Sequence, residues 1–137
     1  MDERIRARGH ENVTGTHGST LEFTSDDYLT PAGDCILAVE ADHVPNEFDP
    51  AFVGACQDPN ATITATLATG SHRVEITGRG HPDLSFGSDR SLVVRTSSYV
   101  DDRTVMVDAD AAAADVNRNL IDELADRSSV TMTLSVE

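Results

Sequence analysis

The tripeptide Arg8-Gly9-His10 recurs as Arg79-Gly80-His81, and the likeness runs well beyond it. A displacement of 71 residues also lays Asn12-Val13 on Asp83-Leu84, Leu21 on Leu92, and Tyr28-Leu29 on Tyr99-Val100. With the displacement shortened to 68, Ala41-Asp42 meets Ala109-Asp110, and Phe52-Val53 meets Leu120-Ile121. Near the end TITATLAT matches VTMTLSV. A chain that repeats itself over most of its length is constrained to build two like units that close one core between them. The expectation is one domain over residues 1–137, made of repeats at about 1–69 and 70–137.

Each repeat reads as three strands, a helix and a strand. ERIRAR and HRVEITG alternate apolar with polar residues, as a half-buried sheet face requires. TLEFTS and SLVVRTS follow, and CILAVEA and TVMVDA are apolar enough to predict central strands. Asp49-Pro50 is a helix start, because proline at the first helical position has a preset φ and no N–H to satisfy. The spacing of Ala113, Val116, Leu120 and Leu124 predicts a second helix over about Asp110–Ala125, its acidic start read as a solvated, dipole-favoured first turn. Gly70-Ser71 predicts a hairpin between the repeats. The fold class is therefore α+β: a duplicated βββαβ unit with pseudo-two-fold symmetry, as a mixed sheet or small β-barrel with two packed helices. A ferredoxin-like pair of half-domains is the alternative.

Charge bounds the setting. Twenty-four acids face ten basic residues, all of them arginine, for a net charge of −14. Lysine-free acidity spread along the whole chain suits a salt-saturated cytoplasm, where self-repulsion is screened within about 3 Å at molar salt. It does not exclude an anionic ligand at a local arginine cluster. The N-terminus carries no signal-like apolar run, so the protein is read as cytoplasmic, with no membrane partner and with Cys35 and Cys56 as free thiols.

The repeat separates scaffold from candidate chemistry. Gly9 and Gly80 are matched, and a strand turning into a loop can require their φ > 0. His10 and His81 either bond nearby backbone carbonyls and pin their loops, or meet at the axis around one ligand or metal. His17 stands against Ser88, and Asp34-Cys35 stands roughly against Arg103-Thr104. Asp34 and Arg103 could form a salt bridge across the axis. Alternatively, Arg95 and Arg103 offer forked donors to a phosphate or carboxylate, with Asn12 and Thr20 as further polar contacts. Asp34 would then orient His17 or His10 for proton transfer. The histidine spacing is poor for zinc, no familiar hydrolase, kinase or dinucleotide fingerprint is present, and Cys35 opens an apolar strand. Two functions follow: a module binding a small anion, nucleotide or RNA phosphate, or a hydrolase- or transferase-type enzyme using histidine, with or without metal assistance.

The motifs RGHENVTGTHGSTLEFT, LTPAGDCILAV, GRGHPDL and VDDRT together resemble an archaeal family known as domain of unknown function 371, in a halophilic member. The resemblance spans essentially the whole chain and implies no activity. Where family members often carry lysines at the start of the second helix, this chain has AAAAD.

Overall fold

A computed structural model describes every residue from Met1 to Glu137. Eight strands and two helices occur in the order β1 (Asp2–Arg8), β2 (Thr20–Thr24), β3 (Ile36–Ala38), α1 (Pro50–Cys56), β4 (Thr62–Ala68), β5 (Arg73–Arg79), β6 (Ser91–Arg95), β7 (Thr104–Met106), α2 (Arg118–Ala125) and β8 (Ser129–Val136). The fold is α+β, and the strands form two four-stranded sheets. The first, ordered β1-β8-β4-β5, is antiparallel throughout. In the second, ordered β3-β2-β6-β7, β2 and β6 run antiparallel, and each carries a short parallel strand on its outer side.

Of the two expected forms, closure into a small barrel does not occur, and the strands divide between two sheets. The sheets touch through single antiparallel bridges at two seams, Arg8 with Val39 and Arg79 with Val107. Beyond each seam a loop aspartate takes over: Asp42 accepts from the Arg6 N–H at 2.9 Å and Asp110 from the Thr77 N–H at 3.0 Å. The loops after β3 and β7 thus satisfy the edge-strand groups that barrel closure would otherwise serve. No helix is long and apolar enough to cross a membrane.

Period-2 burial builds the core. Along β8, Val130, Met132, Leu134 and Val136 are buried while Thr131, Thr133 and Ser135 alternate with them on the other face. Ile63, Ala65 and Leu67 do the same on β4. These residues join Leu21, Phe23, Leu92 and Val94 of the second sheet in one cluster of 33 buried residues, which α1 enters with Phe52 and Cys56 and α2 with Leu120, Ile121 and Leu124. Phe48, Phe52 and Phe86 meet edge-on or tilted at centroid distances of 5.7–6.2 Å, filling space in a chain without tryptophan.

Several local expectations change. The apolar segments after Cys35 and Arg103 form β3 and β7, which are edge strands and not central ones. Their apolar density reflects burial beneath neighbouring loops rather than pairing on both sides, since Leu37, Ala38 and all of β7 are fully buried. The second helix begins at Arg118, capped by Asn117, whose side chain accepts from the Asn119 N–H. The alanine run before it is a 3-10 turn at Ala113–Asp115, closed when Asp115 accepts from the Ala112 N–H. Asp49 and Pro50 do start α1, and the β4–β5 hairpin turns over Thr69–His72.

Gly9 and Gly80 are required for a different reason from the one expected. Neither has a positive φ; the only glycine that does is Gly15. A β-carbon at Gly9 would overlap the Leu124 carbonyl at the end of α2, and one at Gly80 the Cys56 carbonyl at the end of α1. Each glycine lets a helix end close on the strand beside it. Gly9→Ala and Gly80→Ala should each lower stability by about 1–3 kcal/mol in denaturant unfolding, the scale of overpacking. Gly54→Ala, in the open interior of α1, should raise it by roughly 0.5–1 kcal/mol.

Candidate functional site

The outer side of the second sheet carries a continuous polar layer. Register places Thr20 beside Arg95 and Glu22 beside Val93, and the alternation that buries Leu21 and Phe23 turns Thr20 and Glu22 outward. Arg95 is buried and donates from Nε to the Thr104 hydroxyl at 2.8 Å and from Nη2 to Asp101 at 2.9 Å, with its guanidinium 4.8 Å from the Tyr99 ring centre. Arg103 donates to Asp101 at 3.1 Å and lies 3.9 Å from Glu22. Arg90 forks onto Asp26 at 2.8–3.1 Å. A cleft of about 370 Å³ opens among Glu22, Asp26, Cys35, Arg90 and Arg103.

Three arginines in this layer face three carboxylates, and no buried side-chain nitrogen or oxygen is left without a partner. An incoming anion would have to displace Asp26, Glu22 or Asp101. The expected Asp34–Arg103 bridge is absent. The Cys35 carbonyl receives the Glu22 N–H as the Arg103 carbonyl receives the Val93 N–H, so Arg103 aligns with Cys35 and Asp34 with Asp102. Asp34 and Arg103 therefore stand one residue out of register and form no ion pair. The Cys35 thiol donates to Glu22 at 3.5 Å, and burial together with that carboxylate pushes its pKa up to about 11. Burial pushes Cys56 up to about 12. Both are free and poor nucleophiles.

The histidines are loop braces. His10 Nδ1 accepts from the Asn12 N–H and His81 Nδ1 from the Asp83 N–H, both at 3.0 Å. The partner is an amide and not the expected carbonyl. His17 Nδ1 accepts from the Ser19 and Thr20 N–H groups, and Ser88 Oγ does the same for Arg90 and Ser91. A residue present in only one half therefore performs the role of its counterpart. Asn12 is committed to the Leu29 carbonyl at 2.7 Å. The structure brings His17, Thr20, Arg95 and Arg103 onto one layer, to which Asp34 offers its carbonyl to the His17 N–H. It does not bring in His10 or His81. These follow β1 and β5, the opposite edges of the first sheet, and the register sets Arg8 and Arg79 at diagonal corners of it. No three His, Cys, Asp or Glu side chains are grouped as metal ligands.

The open face of the first sheet is chemically different, and the search for asymmetric residues missed it. Alternation turns Arg4, Arg6 and Arg8 outward on β1, and Arg73 and Arg79 outward on β5. Between them lies a floor of hydroxyls, Thr62, Thr64 and Thr66 on β4 and Thr131, Thr133 and Ser135 on β8. Half of the ten arginines stand here with Asp2, Glu75 and Glu137 of the twenty-four acids, leaving five arginines against twenty-one acids elsewhere. Arg8 pairs with Glu40 and Arg73 with Glu75, whereas Arg4, Arg6 and Arg79 have no ion pair. A shallow cleft of about 370 Å³ runs between Arg4 and Arg73 over Thr66, Ala68 and Thr133. The signal was legible as Arg-x-Arg-x-Arg, which at a period of two puts every charge on one face.

Asp101 gives the second-sheet layer its pH dependence. Burial raises its pKa, but donors from the Arg103 side chain, Thr104, the Arg103 N–H and Arg95 outweigh burial and hold it at about 2. A carboxylate depressed below its unfolded value stabilises the fold above that value, and the contribution disappears as pH falls through the folded one. Asp101→Asn should cost about 2 kcal/mol near neutrality, with the deficit against wild type shrinking from about pH 4 toward pH 2 in denaturant titrations.

An uncharacterized protein of Methanocaldococcus jannaschii is 35% identical over 136 residues, which is 99% of this chain and the whole of that protein. Residues 5–137 match the family model described as "Domain of unknown function (DUF371)", and the chain belongs to that family.

Proposed function

We propose that this chain is a cytoplasmic nucleic-acid-binding module that holds the phosphate backbone of RNA on the open face of its first sheet. The observation that carries this reading is the sorting of charge: half of the arginines lie on one face with three acids, and three of those arginines have no ion pair. Guanidinium groups without a carboxylate partner are available to phosphate. Arginines on edge strands can also serve to block strand-to-strand association. That duty is already met here by Asp42, Asp110 and the two bridges, which occupy edge groups of β1 and β5. The acidic remainder suits a protein working at high salt, where contact rather than long-range attraction has to hold the ligand.

The same reading takes the chain as one domain of two copied βββαβ units. Its support is the pairing of like with like: the β1–β8 ladder with β5–β4, the β2–β3 ladder with β6–β7, and one bridge at each seam. Left-handed residues also fall at equivalent places, Gly15 with Phe86 and Glu40 with Asp108. The hydroxyl floor then lies where the last strands of the two copies meet.

The test is fluorescence anisotropy of a labelled RNA hairpin with a single-stranded tail, across KCl concentrations at which circular dichroism shows the protein folded. Engagement of four or five arginines should give a slope of log affinity against log salt of roughly −3 to −4. The triple variant Arg4→Gln/Arg6→Gln/Arg73→Gln should weaken binding at least tenfold at low salt and reduce the slope by roughly 2–3. Arg127→Gln, removing a charge elsewhere, should leave both unchanged. Absence of binding at every salt concentration, or a triple variant that binds like wild type, would overturn the proposal.

A further inference from the structure

Resting on that reading, we infer that the open face of the first sheet is built for double-helical RNA, which it meets across the minor groove. Its shape, its hydroxyls and its lack of aromatic residues each narrow the occupant.

The shape comes from strand spacing. The arginine rows on β1 and β5 are separated by β8 and β4, and three strand spacings put them about 14 Å apart. Three arginines along β1 and one at each end of β5, with Glu75 and Thr77 between those two, flank a broad, uncharged floor and match two phosphate chains flanking a broad, shallow groove. The A-form minor groove is wide and shallow. The minor groove of B-form DNA, about 6 Å wide, is too narrow to seat such a floor, and the deep major groove calls for a protruding helix or ribbon. Along β1 the guanidinium-bearing residues repeat every second position, about 6.8 Å apart, so this row can follow a backbone instead of gripping one anion.

The floor supplies the discrimination. Thr64, Thr66, Thr131 and Thr133 are half-buried on the outward side of the sheet, and a threonine hydroxyl both donates and accepts. The A-form minor groove displays 2′-hydroxyls, which are likewise donors and acceptors and which DNA lacks. Thr66 and Thr133 are register partners on the central strand pair, at the middle of the floor. Ala68, opposite Thr131, places only a methyl group on the floor beside Arg73, and the cleft opens there.

The outward positions of all four strands carry arginine, acid, threonine, serine and alanine, with no aromatic ring. Single strands bound without sequence preference are held by bases stacking on aromatic side chains. This face offers no platform for that, so a base-paired partner, its bases already stacked on one another, is the one it fits.

The experiment compares one sequence in three forms by anisotropy competition: a blunt RNA duplex, its single strand, and the DNA duplex. The RNA duplex should bind at least tenfold more tightly than either of the others. Thr66→Val/Thr133→Val keeps β-branched residues on the strands and removes two hydroxyls. It should lower RNA-duplex affinity several-fold while leaving DNA-duplex affinity and thermal stability unchanged. Equal or tighter binding of the single strand or the DNA duplex would overturn the duplex assignment and leave the general RNA reading standing. Binding of none of the three would remove both.

Discussion

Antiparallel pairing between the halves of the chain is the interaction on which the rest of the structure depends. β4 with β8 and β2 with β6 form the centre of each sheet. β1 has only β8 as a ladder partner and β5 only β4. Because β1 and β8 lie at opposite ends of the sequence, the N-terminal strand has no ladder until the C-terminal strand arrives. The apolar sides of both sheets then close over a common core, while the polar side of each is left for other use. Gly9 and Gly80 complete the arrangement by letting α2 and α1 close on the ends of β1 and β5.

The two polar sides were resolved in opposite ways. Over the second sheet, long loops between the strands bring Asp26 to Arg90 and Asp101 to Arg95 and Arg103, so charge is neutralised in place and the layer behaves as structure. Over the first sheet the connections are short or pass along the edges, as the Asp42 and Asp110 contacts show, and nothing is laid across the face. Arginines there keep free donors in a molecule whose remaining surface repels anions. On the proposed reading, this sorting of charge would draw a phosphate backbone to one side of the protein.

Much of the architecture was legible in residue order. The recurrence of Arg-Gly-His and of the strand patterns gave the order of elements, Asp49-Pro50 marked α1, and Gly70-Ser71 the hairpin. What escaped depended on distant segments. Whether ILA and TVM sit at the middle or edge of a sheet is decided by partners far away in sequence, and apolar density reports only burial. Gly9 is glycine because of a carbonyl more than a hundred residues later, which no local rule can reveal. Comparing halves residue by residue also misdirected the search for a site. His17 and Ser88 differ in type yet brace equivalent turns, whereas the matched alternation of β1 and β5, read only as a sheet face, carried the charge.

The central claim, that RNA contacts the open face of the first sheet, is tested most directly by mapping amide chemical shifts of the labelled protein during titration with an RNA duplex. Binding at this face should move resonances of Arg4–Arg8, Thr62–Ala68, Arg73–Arg79 and Ser129–Ser135 while those around Tyr28, Tyr99 and Arg103 stay in place. Shifts confined to the second sheet and its loops would contradict it.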